Sequence, residues 1–128
     1  MIILDTHAWI WYVTESDKIS INALNKIKDV DVCGVSAISC WEIAMLISKG
    51  RLKLNVSTKE WINKALNYNK IELIPLSPDI SITSTELDKS FHNDPADRII
   101  TATALVFDCE LITKDKKISN YSKVKTIW

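Results

Sequence analysis

Acidic side chains have the most suggestive spacing in this chain. In FHNDPADRIITATA, residues 91–104, Asp94 and Asp97 stand around Pro95 at the mouth of an apolar helix. One reading is local. Asp94 serves as N-cap, Pro95 suits the first helical position because its missing N–H would be unpaired there, and Asp97 falls at the third. Both charges then face the positive end of the helix dipole, worth a few tenths to about 1 kcal/mol each. The other reading is that the pair holds something positive.

Three more acids bear on that choice: Asp5 closes MIILD, Asp115 follows ELIT, and Glu42 lies in SCWEIAMLISKG. Each has a bland alternative. Asp5 can terminate a strand and Asp115 can sit in a turn. Glu42 can complete a capping box begun by Ser39, although Ser36 is an equally good cap and would leave Glu42 too deep for that role. If they converge, they repel one another, and proteins tolerate that with protons, basic partners or a cation. Oxygen ligands without a histidine and cysteine set favour Mg²⁺ or Mn²⁺ over zinc. Such an ion can activate water and neutralise a phosphodiester, which suggests phosphoryl-bond hydrolysis.

The elements that must position these acids alternate. MIILD, DVCGVSA, IELIPL, ELIT and VKTI read as strands, and AWIWYV offers a large apolar surface directly after the first. ISINALNKIKD has helical spacing at Ile21, Leu24 and Ile27. SCWEIAMLISKG reads as a helix stopped by Gly50, and STKEWINKALNYN as a helix opened by Ser57 with Glu60 as its capping box. SPDISITSTELD and DPADRIITATALVFD supply two more. Strands separated by helices imply a mostly parallel sheet flanked on both faces, an α/β three-layer sandwich. Ligands of such sheets bind beyond the carboxyl ends of the strands, where Asp5, Glu42, Asp97 and Asp115 would all lie.

Composition narrows the partners. The chain has 128 residues, 47% of them hydrophobic, with only two glycines and three prolines, so it reads as one folded domain over residues 1–128. Sixteen basic residues balance sixteen acidic ones, which leaves no global attraction to nucleic acid or anionic membrane. The nearest thing to a basic patch is KDKKISNYSKVK, which a solvated surface explains as well as RNA contact does. Cys33, Cys40 and Cys109 form no CxxC and read as buried hydrophobes in a reducing cytosol. MIILDTHAW lacks the basic start of a signal peptide, and no stretch approaches the roughly 18 to 20 apolar residues of a membrane span. The expectation is a cytoplasmic protein.

MIILDTHAWIWY, VSAISCWEIAMLISKGRL, HNDPADRIITATAL and LITKDKKI together resemble the PIN-domain toxins of toxin–antitoxin pairs, the VapC-like ribonucleases. The matching segments run in the family's order along the whole chain. The resemblance implies a PIN fold and a Mg²⁺- or Mn²⁺-dependent endoribonuclease that leaves a 5′-phosphate and a 3′-hydroxyl. It implies Asp5, Glu42 and Asp97 as the acidic triad and Asp115 as the fourth acid, with Asp5 and Asp97 binding metal directly and Glu42 and Asp115 directly or through water. It further implies a cognate antitoxin whose tail enters the acidic groove, an RNA substrate and a homodimer.

Neighbouring residues carry lesser expectations. Thr6 can hydrogen-bond a ligand carboxylate or the scissile phosphate, or only serve the turn. Asp94 caps its helix with an outer role at the metal, and Arg98 is expected to pair within the acidic cluster. His7 is a weak general-base candidate, His92 is read as a turn residue without a role, and Thr101 either faces the pocket or packs. Trp9, Trp11, Trp41 and Trp61 lie in apolar helical contexts that favour core packing or a protein interface over base stacking. Rival functions are a haloacid-dehalogenase-type phosphatase, a receiver domain and a non-enzymatic RNA- or protein-binding module. The phosphatase wants an acid two residues after Asp5, where His7 stands, and the receiver domain wants an acceptor aspartate that IELIPL lacks.

Overall fold

The computed structural model describes residues 1–128. The short apolar runs become strands β1 (Ile2–Leu4), β2 (Cys33–Ser36), β3 (Ile71–Ile74), β4 (Leu111–Ile112) and β5 (Thr126–Ile127). Between them lie helices α1 (Thr6–Val13), α2 (Ile21–Asp29), α3 (Ala37–Ser48), α4 (Thr58–Leu66), α5 (Pro78–Thr85), α6 (Pro95–Val106) and α7 (Lys116–Ser119). Every strand pairing is parallel and the order is β3-β2-β1-β4-β5. The chain therefore builds outward from β1 to β3, then crosses to the other side of β1 to add β4 and β5. That reversal leaves a crevice beyond the carboxyl ends of β1 and β4.

Alternation along β1 feeds two cores. Ile2 and Leu4 pack with Trp9, Ile27 and Ala65 beneath α1, α2 and α4, whereas Ile3 packs with Ile80, Ile100 and Ile118 beneath α5, α6 and α7. Helix α3 reaches both, with Ile43 in the first core and Ile38 against the second. Each fully buried isoleucine or leucine contributes about 1.5–3 kcal/mol. Packing around Ile3 extends to the neighbouring backbone: a β-carbon at Gly34 would stand 2.7 Å from Ile3 Cδ1. Any larger residue at this position would make the end of the Ile3 side chain shift.

Serine caps four helices and aspartate caps three. Ser20, Ser36, Ser57 and Ser77 open α2, α3, α4 and α5, while Asp5, Asp94 and Asp115 open α1, α6 and α7. Ser36 rather than Ser39 starts α3, so Glu42 lies too far along it to belong to a capping box. Gly50, at φ 68°, follows the end of α3 as its sequence position suggests. Helix α7 lies in the basic run, where the sequence carries no helical periodicity: it is a single turn nucleated by Asp115. No helix is long and apolar enough to cross a membrane.

Candidate active site

A cavity of about 590 Å³ is lined by Asp5, Glu42, Asp94, Asp97 and Asp115, together with Thr6, His7, Trp11, Ile100 and Lys114. Five of its ten lining residues are acids from four separate places in the chain, Asp94 and Asp97 sharing one helix start, and the sheet and the helices bring them there.

The three capping aspartates are fixed by backbone amides. Asp5 leaves β1 with its own amide donating to the Ile112 carbonyl at 3.0 Å, and its Oδ1 accepts from the Ala8 amide at 2.7 Å. Asp94 Oδ1 accepts from the Asp97 amide at 2.9 Å. Asp115 Oδ1 accepts from the Lys117 and Ile118 amides at 2.7 and 3.2 Å. Each cap uses one oxygen, so capping does not consume the carboxylate.

The other two acids are held by side chains. The Thr6 hydroxyl donates to Glu42 Oε1 at 2.5 Å and lies 2.9 Å from Ser39 Oγ. Asp97 Oδ2 lies 2.7 Å from His92 Nε2. Burial raises the Asp5 carboxyl above its usual range, against the Thr113 hydroxyl, the Ala8 amide and His7. Burial likewise pushes Glu42 up to about 6, opposed by the Thr6 hydroxyl and helped by the charges of Asp97, Asp94 and Asp5. Asp97 is raised by burial, opposed by His92 and helped by Asp94 and Asp115. Negative charge is therefore in surplus here.

No three acidic, histidine or cysteine side chains are drawn tightly enough together to form a ready-made metal cage. Mutual repulsion and the individual protein donors explain that spread. The donor chemistry fits a hard divalent ion: carboxylate oxygens dominate, and no cysteine lines the cavity. Such an ion would offset the same surplus of charge that burial makes unfavourable.

Several neighbours differ from expectation. Arg98 pairs with no carboxylate. Its guanidinium donates to the carbonyls of Ser84, Phe91, His92 and Leu87 at 2.9, 3.1, 3.2 and 3.4 Å and lies over the Phe91 ring. The last turn of α5 and the loop after it lack amide donors for these carbonyls, and a five-donor fork meets that need. His92, assigned no role from sequence, contacts Asp97 and stacks on Phe91 with ring centres 4.6 Å apart. The only sequence signal was its place five residues before Asp97. Thr101 is fully buried and its hydroxyl has no partner, so it packs rather than facing the cavity. Trp9 is core and Trp61 packs against it, Trp41 is exposed, and Trp11 lines the acidic cavity.

The PIN domain family profile matches residues 2–124. Ribonuclease VapC22 of Mycobacterium tuberculosis is 30% identical over 99% of this chain and 98% of its own length. A toxin–antitoxin complex from Klebsiella pneumoniae has a chain that superposes with a TM-score of 0.69 at 20% identity, covering 100% of this chain and 97% of that one. VapBC2 from Rickettsia felis, bound to a DNA fragment from its promoter, gives 0.72 at 18% identity over 99% and 98%. These two share the fold. With the family profile and the VapC22 match both spanning nearly the whole sequence, the chain belongs to the PIN domain family, among its VapC-like members.

Proposed function

We propose that this protein is a divalent-metal-dependent endoribonuclease and the toxin of a toxin–antitoxin pair. The observation that carries the reading is the gathering of five carboxylates around one cavity at the sheet's switch point, in a chain matched end to end by a ribonuclease. Asp5, Glu42, Asp97 and Asp115 would hold Mg²⁺ or Mn²⁺, and Asp94 holds the helix start that carries Asp97. When bound, such an ion lowers the pKa of water and offsets charge on a phosphate.

Hydrolysis adds a water oxygen to phosphorus and breaks the P–O3′ bond, leaving a 5′-phosphate and a 3′-hydroxyl. The protein's part is orientation. The Thr6 hydroxyl fixes the Glu42 carboxylate, His92 fixes that of Asp97, and the α1 cap fixes Asp5. By analogy with the Klebsiella toxin–antitoxin complex, a cognate antitoxin is the partner of this protein. The family resemblance, not that complex, is what suggests that the antitoxin's tail enters the acidic cavity and that the toxin forms a homodimer.

The test is incubation of purified, antitoxin-free protein with total RNA in Mg²⁺ or Mn²⁺ and in EDTA. Discrete fragments formed only with the metal are expected. Fragments that persist in EDTA, or no fragments in any condition, would sink the reading.

A second expectation concerns pH. Asp5, Glu42 and Asp97 keep their protons to higher pH in the folded protein than in the unfolded chain, so protonation stabilises the metal-free fold. That contribution is complete below the ordinary carboxyl values of 3.8 and 4.5 and is lost as pH rises through about 6, the Glu42 value. Above that, a cation can replace the protons. At a hundredfold excess over its Kd, Mn²⁺ should raise the melting temperature by roughly 5–10 °C at pH 7. At pH 4.5 most of that gain should vanish; a shift independent of pH would place the ion elsewhere.

A further inference from the structure

We propose that Trp11, His7 and Lys114 form a subsite that grips the unpaired nucleotide next to the bond being cut. The proposal rests on the ribonuclease reading and adds how a polyanion is accepted by an acid-lined cavity. Lys114 is the only lysine or arginine among the lining residues. It adjoins Asp115 in sequence, so it puts a positive charge at the border of the carboxylate cluster, where a phosphate flanking the reacting one would lie. Neither Lys114 nor His7 is taken up in an ion pair within the protein.

Trp11 gives that border a flat apolar surface. It lies four residues after His7 on α1, which puts both rings on one helix face, with centres 5.7 Å apart. Trp128 braces the indole from another side at 5.6 Å, and Lys114 Nζ lies 5.9 Å from its ring centre. The side chain is half-buried, so its position is set by packing while part of it still meets the cavity. An indole with a cation over part of its ring can meet a base and a phosphate together, a combination that many non-specific single-strand binders use. A base inside a duplex has its faces covered by its neighbours, so the chemistry selects single-stranded RNA.

The test uses the full chain and an oligoribonucleotide carrying a mapped cleavage site. Trp11→Leu should raise KM by about tenfold or more. Trp11→Phe should recover most of that, with the loss falling on KM rather than kcat. Lys114→Gln should flatten the salt dependence of log KM by about 0.7, the effect of one phosphate contact on a single strand. Removing the base beside the cleaved bond should raise KM for the native protein but not for Trp11→Leu, a coupling that a merely structural tryptophan would not produce. The proposal falls if variants and abasic substrate keep the native KM while RNA is cut, or if the substitutions weaken only antitoxin binding. A native protein that cuts no RNA at all overturns the ribonuclease reading itself.

Discussion

Asp97→Asn protein should fold, melt in EDTA at pH 7 at or above the temperature of the native protein, and cut RNA at least about 100-fold more slowly. The two halves of that result have one cause. Burial and the charges of Asp94 and Asp115 disfavour an ionised Asp97, so the metal-free fold at neutral pH is strained by it. Asparagine removes the charge, keeps the shape and retains an oxygen toward His92 Nε2. Because its side chain is only 24% exposed, solvent screens little of the charge it removes. The same substitution removes an anionic ligand from the proposed metal site. The Mn²⁺-dependent rise in melting temperature should shrink with it, since stabilisation follows affinity for the folded state. Three measurements decide: a thermal melt in EDTA, a melt with Mn²⁺, and the single-turnover cleavage rate. Native cleavage by the variant would remove Asp97 from the site, whatever its effect on stability.

Arg98→Ala should be the most damaging single substitution near the site for stability, costing on the order of 3 kcal/mol. In a domain of this size that is a fall in melting temperature of roughly 10 °C. The guanidinium donates to four backbone carbonyls, at Ser84, Leu87, Phe91 and His92, and without it those carbonyls lose a charged donor. It clamps the segment between α5 and α6, which carries His92 and Asp94. Lysine cannot reproduce the fork, so Arg98→Lys should recover little of the loss. The role expected from sequence, pairing with a neighbouring carboxylate, makes a different forecast: an unchanged urea midpoint, with altered metal or RNA binding. Equilibrium unfolding of the two variants separates these accounts.

The residues around Arg98 show what could and could not be read in advance. The alternation of strand and helix, the parallel sheet and the edge at which the acids lie all follow from periodicity and topology, which are regular. Asp94 as a cap was legible because capping is local: its oxygen reaches an amide three residues on. The partner of Arg98 was not, because an arginine beside an aspartate suggests a salt bridge, whereas the four carbonyls that claim it belong to the last turn of α5 and the unpatterned loop after it. His92 was missed for the same reason, since a turn residue becomes a partner of Asp97 only once the chain has bent back. Trp11 carried no mark distinguishing it from Trp9, two residues away on the same helix; their fates are decided by which side of α1 meets Leu4 and which meets the cavity.

The pairing of β1 with β4 also has a bearing on how the protein is made. Ile3 and Leu111 are register partners, and Asp5 is tied through its amide to the carbonyl of Ile112. Pairing at that sequence separation carries the entropy cost of closing a long loop. On the ribosome, Asp5, Glu42 and Asp97 can all have emerged while the strand that completes their edge of the sheet is still inside the exit tunnel. A nascent chain thus carries the acids without the cavity, and the machine translating it is not exposed to the finished site until translation of this domain is nearly over.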